Sequence, residues 1–200
     1  MGVNITRRDW CIGAGALAGC FVLGGVGVAF ASEEDFLRPP GGQDEGRLSA
    51  LCMKCDRCRT VCPQSIIVPV SVEESVRGAR TPKLDFHRGF CDFCGLCQEV
   101  CPTQALAPRF DPADQALGIA VLDATICLAY VNVCEKCKEA CPYDALEFDE
   151  LDRPSVVAER CNGCGRCVDA CHVNVAGSFT GHERALEVRT VAASSEEGLR

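Results

Sequence analysis

A four-cysteine motif repeated four times constrains this chain more than any other feature. Eighteen of the 200 residues are cysteine, and sixteen of them fall in groups that begin at Cys52, Cys91, Cys127 and Cys161, 39, 36 and 34 residues apart. Three groups share the spacing C-x2-C-x2-C-x3-C: Cys52, Cys55, Cys58 and Cys62; Cys91, Cys94, Cys97 and Cys101; Cys161, Cys164, Cys167 and Cys171. The third group is Cys127, Cys134, Cys137 and Cys141, where Leu128–Val133 stretches the first interval and the last three cysteines keep theirs. Self-similarity at a fixed period marks one structural unit used repeatedly.

The spacing separates three uses of cysteine. Disulfides suit an exported chain, but cysteines three apart in a tight loop bridge poorly, and a disulfide scaffold has no reason to repeat one dense loop. Zinc ribbons use paired C-x2-C halves and leave the third and fourth cysteines without a role. An iron–sulfur cubane uses all four. Three thiolates at intervals of three wrap three irons, and the fourth, expected on a following helix turned away from the loop, reaches a cluster nucleated by a different motif. This is the spacing of bacterial ferredoxins. The sixteen cysteines are therefore expected to ligate four [4Fe–4S] clusters in two double-cluster units. Tandem pairing (first with second, third with fourth) and nested pairing (first with fourth, second with third) both satisfy the ligand count.

Pro63, Pro102 and Pro142 follow the fourth cysteines of the first three units; each removes a backbone N–H and restricts the turn. His172 takes this place in the last unit and is read as a tolerated turn residue, because Cys171 already fills the ligand position. Gly95, Gly163 and Gly165 permit tight backbone and N–H···S contacts in the loops. The insertion Leu128–Val133 is expected to loop over its cluster, as a docking or environment-tuning element or as structural slack.

Aromatic residues are only 6 % of the chain, so a core of large side chains would be thin and would need metal to hold it. Short apolar runs such as Ile119–Leu122, Ala145–Phe148 and Ser155–Ala158 have the length of strands. Each unit thus reads as strand, cysteine loop, short helix near the last cysteines, and second strand. The expected fold class is α+β: two bacterial-ferredoxin-like double-cluster units preceded by an apolar signal helix. The boundaries are 1–31 for a signal or membrane anchor and 32–50 for a Pro/Gly linker. Residues 51–180 form the four-cluster region, with units near 51–82, 86–110, 119–150 and 155–179, and 181–200 form a polar tail.

The first 31 residues carry Arg7-Arg8 before an uncharged, Gly/Ala-rich stretch from Ile12 to Ala31, which ends in Ala29-Phe30-Ala31. Two arginines ahead of such a stretch resemble a twin-arginine signal. That route carries folded proteins and suits clusters inserted before export. Cleavage after Ala31, retention as an anchor, and lipidation at Cys20 in Leu17-Ala18-Gly19-Cys20 are the three fates open to the segment. Cys11 and Cys20 belong to it and not to the metal sites.

No dinucleotide or nucleotide-phosphate loop is present, and His87, His172 and His182 form no catalytic pairing. The chain is expected not to be an enzyme. A net charge of −8 excludes an electrostatic footprint for nucleic acid and favours a partner with a basic docking face.

The residues resemble the four-cluster ferredoxin-type proteins that accompany periplasmic nitrate reductase. Cys127-Leu128-Ala129-Tyr130 leading to Cys134, Cys137 and Cys141, with Cys161-Asn162-Gly163-Cys164-Gly165, looks like the F-type member. The twin-arginine segment followed by Leu37-Arg38-Pro39-Pro40-Gly41 looks like the G-type member and its methylamine-utilisation relative. The resemblance runs from Ile5 to about Phe179. It implies a periplasmic or membrane-surface electron carrier between a quinol-oxidising membrane protein and an exported molybdenum oxidoreductase, without a small-molecule substrate. The F-type likeness implies the alternative, a maturation or assembly factor for such an enzyme.

Overall fold

The structure, a computed structural model, describes residues 36–177 and 184–191. The signal segment with its Cys11 and Cys20, and the chain end at Ser194–Arg200, lie outside the described residues. The elements run α1 (Glu45–Leu51), α2 (Arg57–Val61), β1 (Ile67–Pro69), β2 (Pro82–Leu84), α3 (Leu96–Glu99), β3 (Ile119–Leu122), a 3-10 turn (Leu128–Tyr130), α4 (Lys136–Ala140), β4 (Leu146–Phe148), β5 (Pro154–Val156), α5 (Arg166–Ala170), α6 (His172–Gly177) and β6 (Leu186–Arg189). Among these, no helix is long and apolar enough to cross a membrane.

The strands pair as three antiparallel ribbons, β1 with β2, β4 with β5 and β3 with β6. Ile67 faces Leu84, Leu146 faces Val156, and Leu122 faces Leu186. Ribbons this small do not stand alone in water. They are stabilised because each lays one face on a core that runs through Leu48, Ile66, Leu106, Val168 and Leu186 and includes the buried cysteines Cys91, Cys97, Cys137 and Cys167. The sulfur side chains are thus part of the core, as the small aromatic content implied. The mixed class of short helices and strands agrees with the sequence reading, with strands at 119–122, within 145–148, and at Pro154–Val156, which only overlaps the expected run 155–158.

Three expectations need correction. Residues 36–50 are not a linker. Arg38, Pro39, Pro40, Gly41 and Gly42 are buried. The Leu37 carbonyl accepts from Leu84 N at 2.7 Å, and Gly41 O accepts from Ala107 N at 2.7 Å. Arg38, 4 % exposed, donates to Thr81 Oγ1 at 3.0 Å and Pro82 O at 2.8 Å and pairs with Glu45. Prolines keep this strap out of helix and central strand, but not out of an edge contact where only its carbonyls are used. Past it, the Asp44 side chain accepts from Arg47 N and caps α1, a helix the sequence reading missed.

Residues 184–191 of the expected tail are likewise part of the body. β6 alternates buried Leu186 and Val188 with half-buried Glu187 and Arg189, a period of two that places one face on the core. Finally, the fourth cysteines are not on helices. Cys62, Cys141 and Cys171 follow α2, α4 and α5 as extended C-caps, with φ of −69°, −85° and −70°. A proline after Cys62 and Cys141 disfavours helical backbone there. Where His172 replaces it, helix resumes at once as α6, and buried Asn174 on α6 joins Val168 O (3.1 Å) to Leu186 O (2.8 Å) through its amide.

Candidate metal centres

The short helices place the third cysteine of each motif inward and release the fourth beyond the helix end. Four cavities result, each walled by four cysteines from two motifs. Site 1 is lined by Cys52, Cys55, Cys58 and Cys101; site 2 by Cys91, Cys94, Cys97 and Cys62. Site 3 is lined by Cys127, Cys134, Cys137 and Cys171; site 4 by Cys161, Cys164, Cys167 and Cys141. All sixteen cysteines singled out from the sequence are therefore brought together in quartets. The pairing is tandem: the first motif exchanges its fourth cysteine with the second, and the third with the fourth.

In three loops the residues on either side of the second cysteine are left-handed: Lys54 (φ 56°) and Asp56 (61°), Phe93 (56°) and Gly95 (74°), Gly163 (71°) and Gly165 (80°). This conformation costs a non-glycine residue about 1–2 kcal/mol, so it persists only where the surroundings demand it. Here it curls the loop and turns backbone N–H groups toward sulfur. Site 3 differs. Glu135, the residue after its second cysteine, has φ of −120°, and the inserted residues form the 3-10 turn instead. The insertion leaves Leu128, Val131 and Val133 exposed (41 %, 83 % and 77 %).

Hydrogen bonds to sulfur continue around the sites. Ala120 N donates to Cys161 Sγ and Ala145 N to Cys141 Sγ, each at 3.4 Å. Burial, with neighbouring cysteines, pushes the thiols of Cys91 and Cys97 up to about 12. The thiols of Cys58 and Cys137 rise to about 11 for the same first reason, and burial raises Cys167 as well. Cys101 moves the other way: burial pushes it up, but backbone hydrogen bonds from Leu106, Thr103 and Ala105 and the Thr103 hydroxyl outweigh that and lower it. Without a cation the buried thiols hold their protons at neutral pH, and binding iron displaces them.

The donor set fits a [4Fe–4S] cluster better than a lone ion. Among the described residues no three His, Cys, Asp or Glu side chains close around a single-ion position. A tetrahedral metal would draw four sulfurs to about 2.3 Å from one centre, whereas these quartets surround open cavities. Asn162, 5 % exposed, lines site 4 with an amide nitrogen that has no protein partner. Such a buried donor needs an acceptor, and a sulfur-rich anion in that cavity supplies one. His172 lines site 3 beside its four cysteines and is exposed.

Sequence reading also missed the charge at site 1. Lys54, Arg57, Arg59 and Arg80 line its mouth and are exposed; Asp56 lies among them and pairs with Arg80 at 3.3 Å, so cations outnumber carboxylates there and the local sign is opposite to that of the whole chain. Four cations brought together from two segments leave no signal in the net charge.

Residues 51–105 and 132–175 match the 4Fe-4S dicluster domain, one stretch for each tandem pair; Cys127 falls just outside the second stretch, ahead of the insertion's end. The ferredoxin-type protein NapF of Escherichia coli (strain K12) is 33 % identical over 144 residues, which cover 69 % of this chain and 81 % of NapF. The ferredoxin-type protein NapG of the same organism is 30 % identical over 173 residues, 74 % of each chain. The methylamine utilization ferredoxin-type protein MauM of Methylophilus methylotrophus is 31 % identical over 152 residues, 68 % of this chain and 66 % of MauM. Taken with the paired cysteine quartets, these matches place the chain in the family of NapF-, NapG- and MauM-like ferredoxin-type iron–sulfur proteins, electron carriers and not catalysts.

Proposed function

We propose that the chain carries four [4Fe–4S] clusters, one in each cysteine quartet, and relays single electrons from a quinol-oxidising membrane protein to an exported oxidoreductase. The observation that carries this reading is the convergence of all sixteen cysteines into four separate quartets. A [4Fe–4S] cluster supplies a one-electron carrier. The protein's part is to hold, space and insulate. Thiolates bind iron, left-handed loops aim N–H groups at sulfur, and apolar side chains such as Ile67, Leu84 and Leu146 keep water from the inner walls. The electron lost by the donor is the electron gained by the acceptor, and no bond of the chain is made or broken.

Anaerobic purification should yield about sixteen irons and a similar amount of sulfide per chain, with cubane EPR signals on reduction. About eight irons would overturn the count of four. Export by the twin-arginine route belongs to the same proposal: an Arg7→Lys, Arg8→Lys double variant should stay in the cytoplasm, and unchanged placement would overturn it. The basic mouth of site 1 implies that the partner docking there presents an acidic face, the reverse of the inference from net charge.

A second reading, an assembly factor for the oxidoreductase, is favoured by one observation, the exposed Leu128, Val131 and Val133 beside site 3. Apolar side chains of that kind suit recognition of an incompletely folded enzyme. An assembly factor should bind the immature enzyme and become dispensable once it is mature; a conduit should be reduced by the quinol system and reoxidised by the mature enzyme.

A further inference from the structure

Chain order numbers the sites 1, 2, 3 and 4, but the packing does not follow that order. Within each tandem pair, neighbouring sites are linked by three residues of chain. Cys58 of site 1 leads to Cys62 of site 2, and Cys137 of site 3 leads to Cys141 of site 4. Between the pairs, contacts gather where the site 2 loop meets the site 4 loop. Cys91 N donates to Cys164 O at 2.7 Å, a hydrogen bond between a cysteine of one site and a cysteine of the other. Beside it, the Arg166 guanidinium stacks 4.3 Å over the Phe90 ring. Gly165 lies against Phe86 so closely that a Cβ would sit 2.2 Å from the ring.

Burial gives the same order independently. Site 2 contains buried Cys91 and Cys97, and site 4 contains buried Cys164 and Cys167. Site 3 has one buried cysteine, Cys137, while none of the four at site 1 is buried and Cys55 is exposed. The sites that meet at the junction thus hold two buried cysteines each, although Cys94 of site 2 is exposed, against one at site 3 and none at site 1.

We propose that electrons cross between the two halves at the Cys91–Cys164 junction, so that the route runs from site 1 to site 2, then to site 4, and ends at site 3, or the reverse. The inference rests on the electron-transfer reading above. Tunnelling falls steeply with separation, so the closest pair of sites across the interface sets the route. Site 3 is then a terminus although it is third in the chain, and the insertion Leu128–Val133 sits at an exit, not over an interior carrier. The electron enters from the quinol-oxidising donor at one terminus and leaves to the oxidoreductase at the other.

The test is EPR on anaerobically loaded, reduced protein. A variant with Cys55, Cys58, Cys134 and Cys137 changed to alanine keeps sites 2 and 4 intact and should show two spin-coupled cubane signals. The complementary variant, with Cys94, Cys97, Cys164 and Cys167 changed to alanine, keeps sites 1 and 3 and should show two uncoupled signals. Coupling in the second and none in the first would overturn the route. If either variant fails to hold about eight irons, Phe86→Ala in the intact chain decides. Phe86 lines none of the four sites but packs against Gly165, so its loss should weaken the coupling across the junction while leaving about sixteen irons; unchanged coupling would overturn the route. Iron counts that collapse in the unaltered protein would instead overturn the four-cluster reading, so the two failures are distinguishable.

Discussion

The two halves of the described structure solve one problem with different parts. In the second, β3–β6 and β4–β5 are two complete ribbons flanking sites 3 and 4. In the first, only β1–β2 forms, and the strap with α1 occupies the flank that a second ribbon would cover. Leu37 and Gly41 carbonyls accept from Leu84 and Ala107, which satisfies edge groups without a ladder. The flank of a double-cluster unit therefore needs burial and satisfied backbone more than it needs a particular element. The loops invert the comparison. Both first-half loops carry the left-handed pair of residues, whereas in the second half the site 4 loop does and the site 3 loop does not.

Four measurements break or sharpen this contrast, and the largest effect is on metal content. If each half exchanges ligands internally, Cys58→Ala with Cys101→Ala should remove one cluster, about four irons, because both line site 1. Cys97→Ala with Cys101→Ala should remove two, about eight irons, and the same arithmetic applies to Cys137/Cys171 against Cys167/Cys171. Iron and sulfide analysis reads the difference directly. Equal losses from the two kinds of pair within a half would mean that the half concerned does not exchange its fourth ligands.

Next in size is stability, where each half should depend on its own flank. Leu186→Ala in β6 removes a side chain that is 1 % exposed and should cost about 2–5 kcal/mol. Arg38→Ala in the strap removes hydrogen bonds to Thr81 and Pro82 and the pairing with Glu45 and should cost about 2–3 kcal/mol. Anaerobic denaturant unfolding measures both. A strap variant with wild-type stability would mean that the first half stands without its flank.

The response to pH is smaller and has a definite sign. In the metal-free chain the folded thiols of Cys91 and Cys97 sit near 12 against an ordinary value of 9.0, because burial penalises the thiolate. The folded form thus keeps these protons when the unfolded form has lost them. Their contribution is complete below about pH 9 and fades as pH rises through about 12. Loaded protein should behave oppositely, losing iron as pH falls, since protons compete for the thiolates. Urea midpoints of metal-free protein and iron retention of loaded protein, each followed against pH, show whether the slopes differ in sign.

The smallest effect is at the loops. Gly95→Ala forces an alanine to φ of 74° and should cost about 1 kcal/mol. Glu135→Ala, at the matching place in the stretched loop, should change stability by less than about 0.5 kcal/mol. Thermal melts of the two loaded variants test the pair, and equal shifts would mean that the loops share one geometry after all.

Much of the candidate site was legible because cluster ligation is local. Three thiolates at intervals of three can meet only in a tight loop, so the loops and the strands around Ala120, Leu146 and Val156 followed from spacing and apolar runs. What was missed was non-local. The strap read as a linker because Pro39, Pro40, Gly41 and Gly42 exclude regular structure, and nothing in that composition shows that Arg38 has a buried partner across the chain at Thr81. β6 was overlooked inside a polar tail although Leu186 and Val188 alternate, since a four-residue strand announces itself only beside its partner. Asn162 carries no sequence signature, and the basic mouth of site 1 shows only in part, as Lys54, Arg57 and Arg59 in one loop, until the fold adds Arg80.

The repeated cysteines on their own settle the chemical class of donor and its division into motifs, because thiolates a few residues apart are placed by bond lengths and loop sterics. They leave the partner of each fourth cysteine open, since an extended residue after a helix end can reach any loop that packs nearby. Packing resolves it as tandem exchange, with the Cys91–Cys164 contact joining the halves. Contacts of that kind depend on which surfaces bury each other, a property of the whole folded chain and of no segment within it.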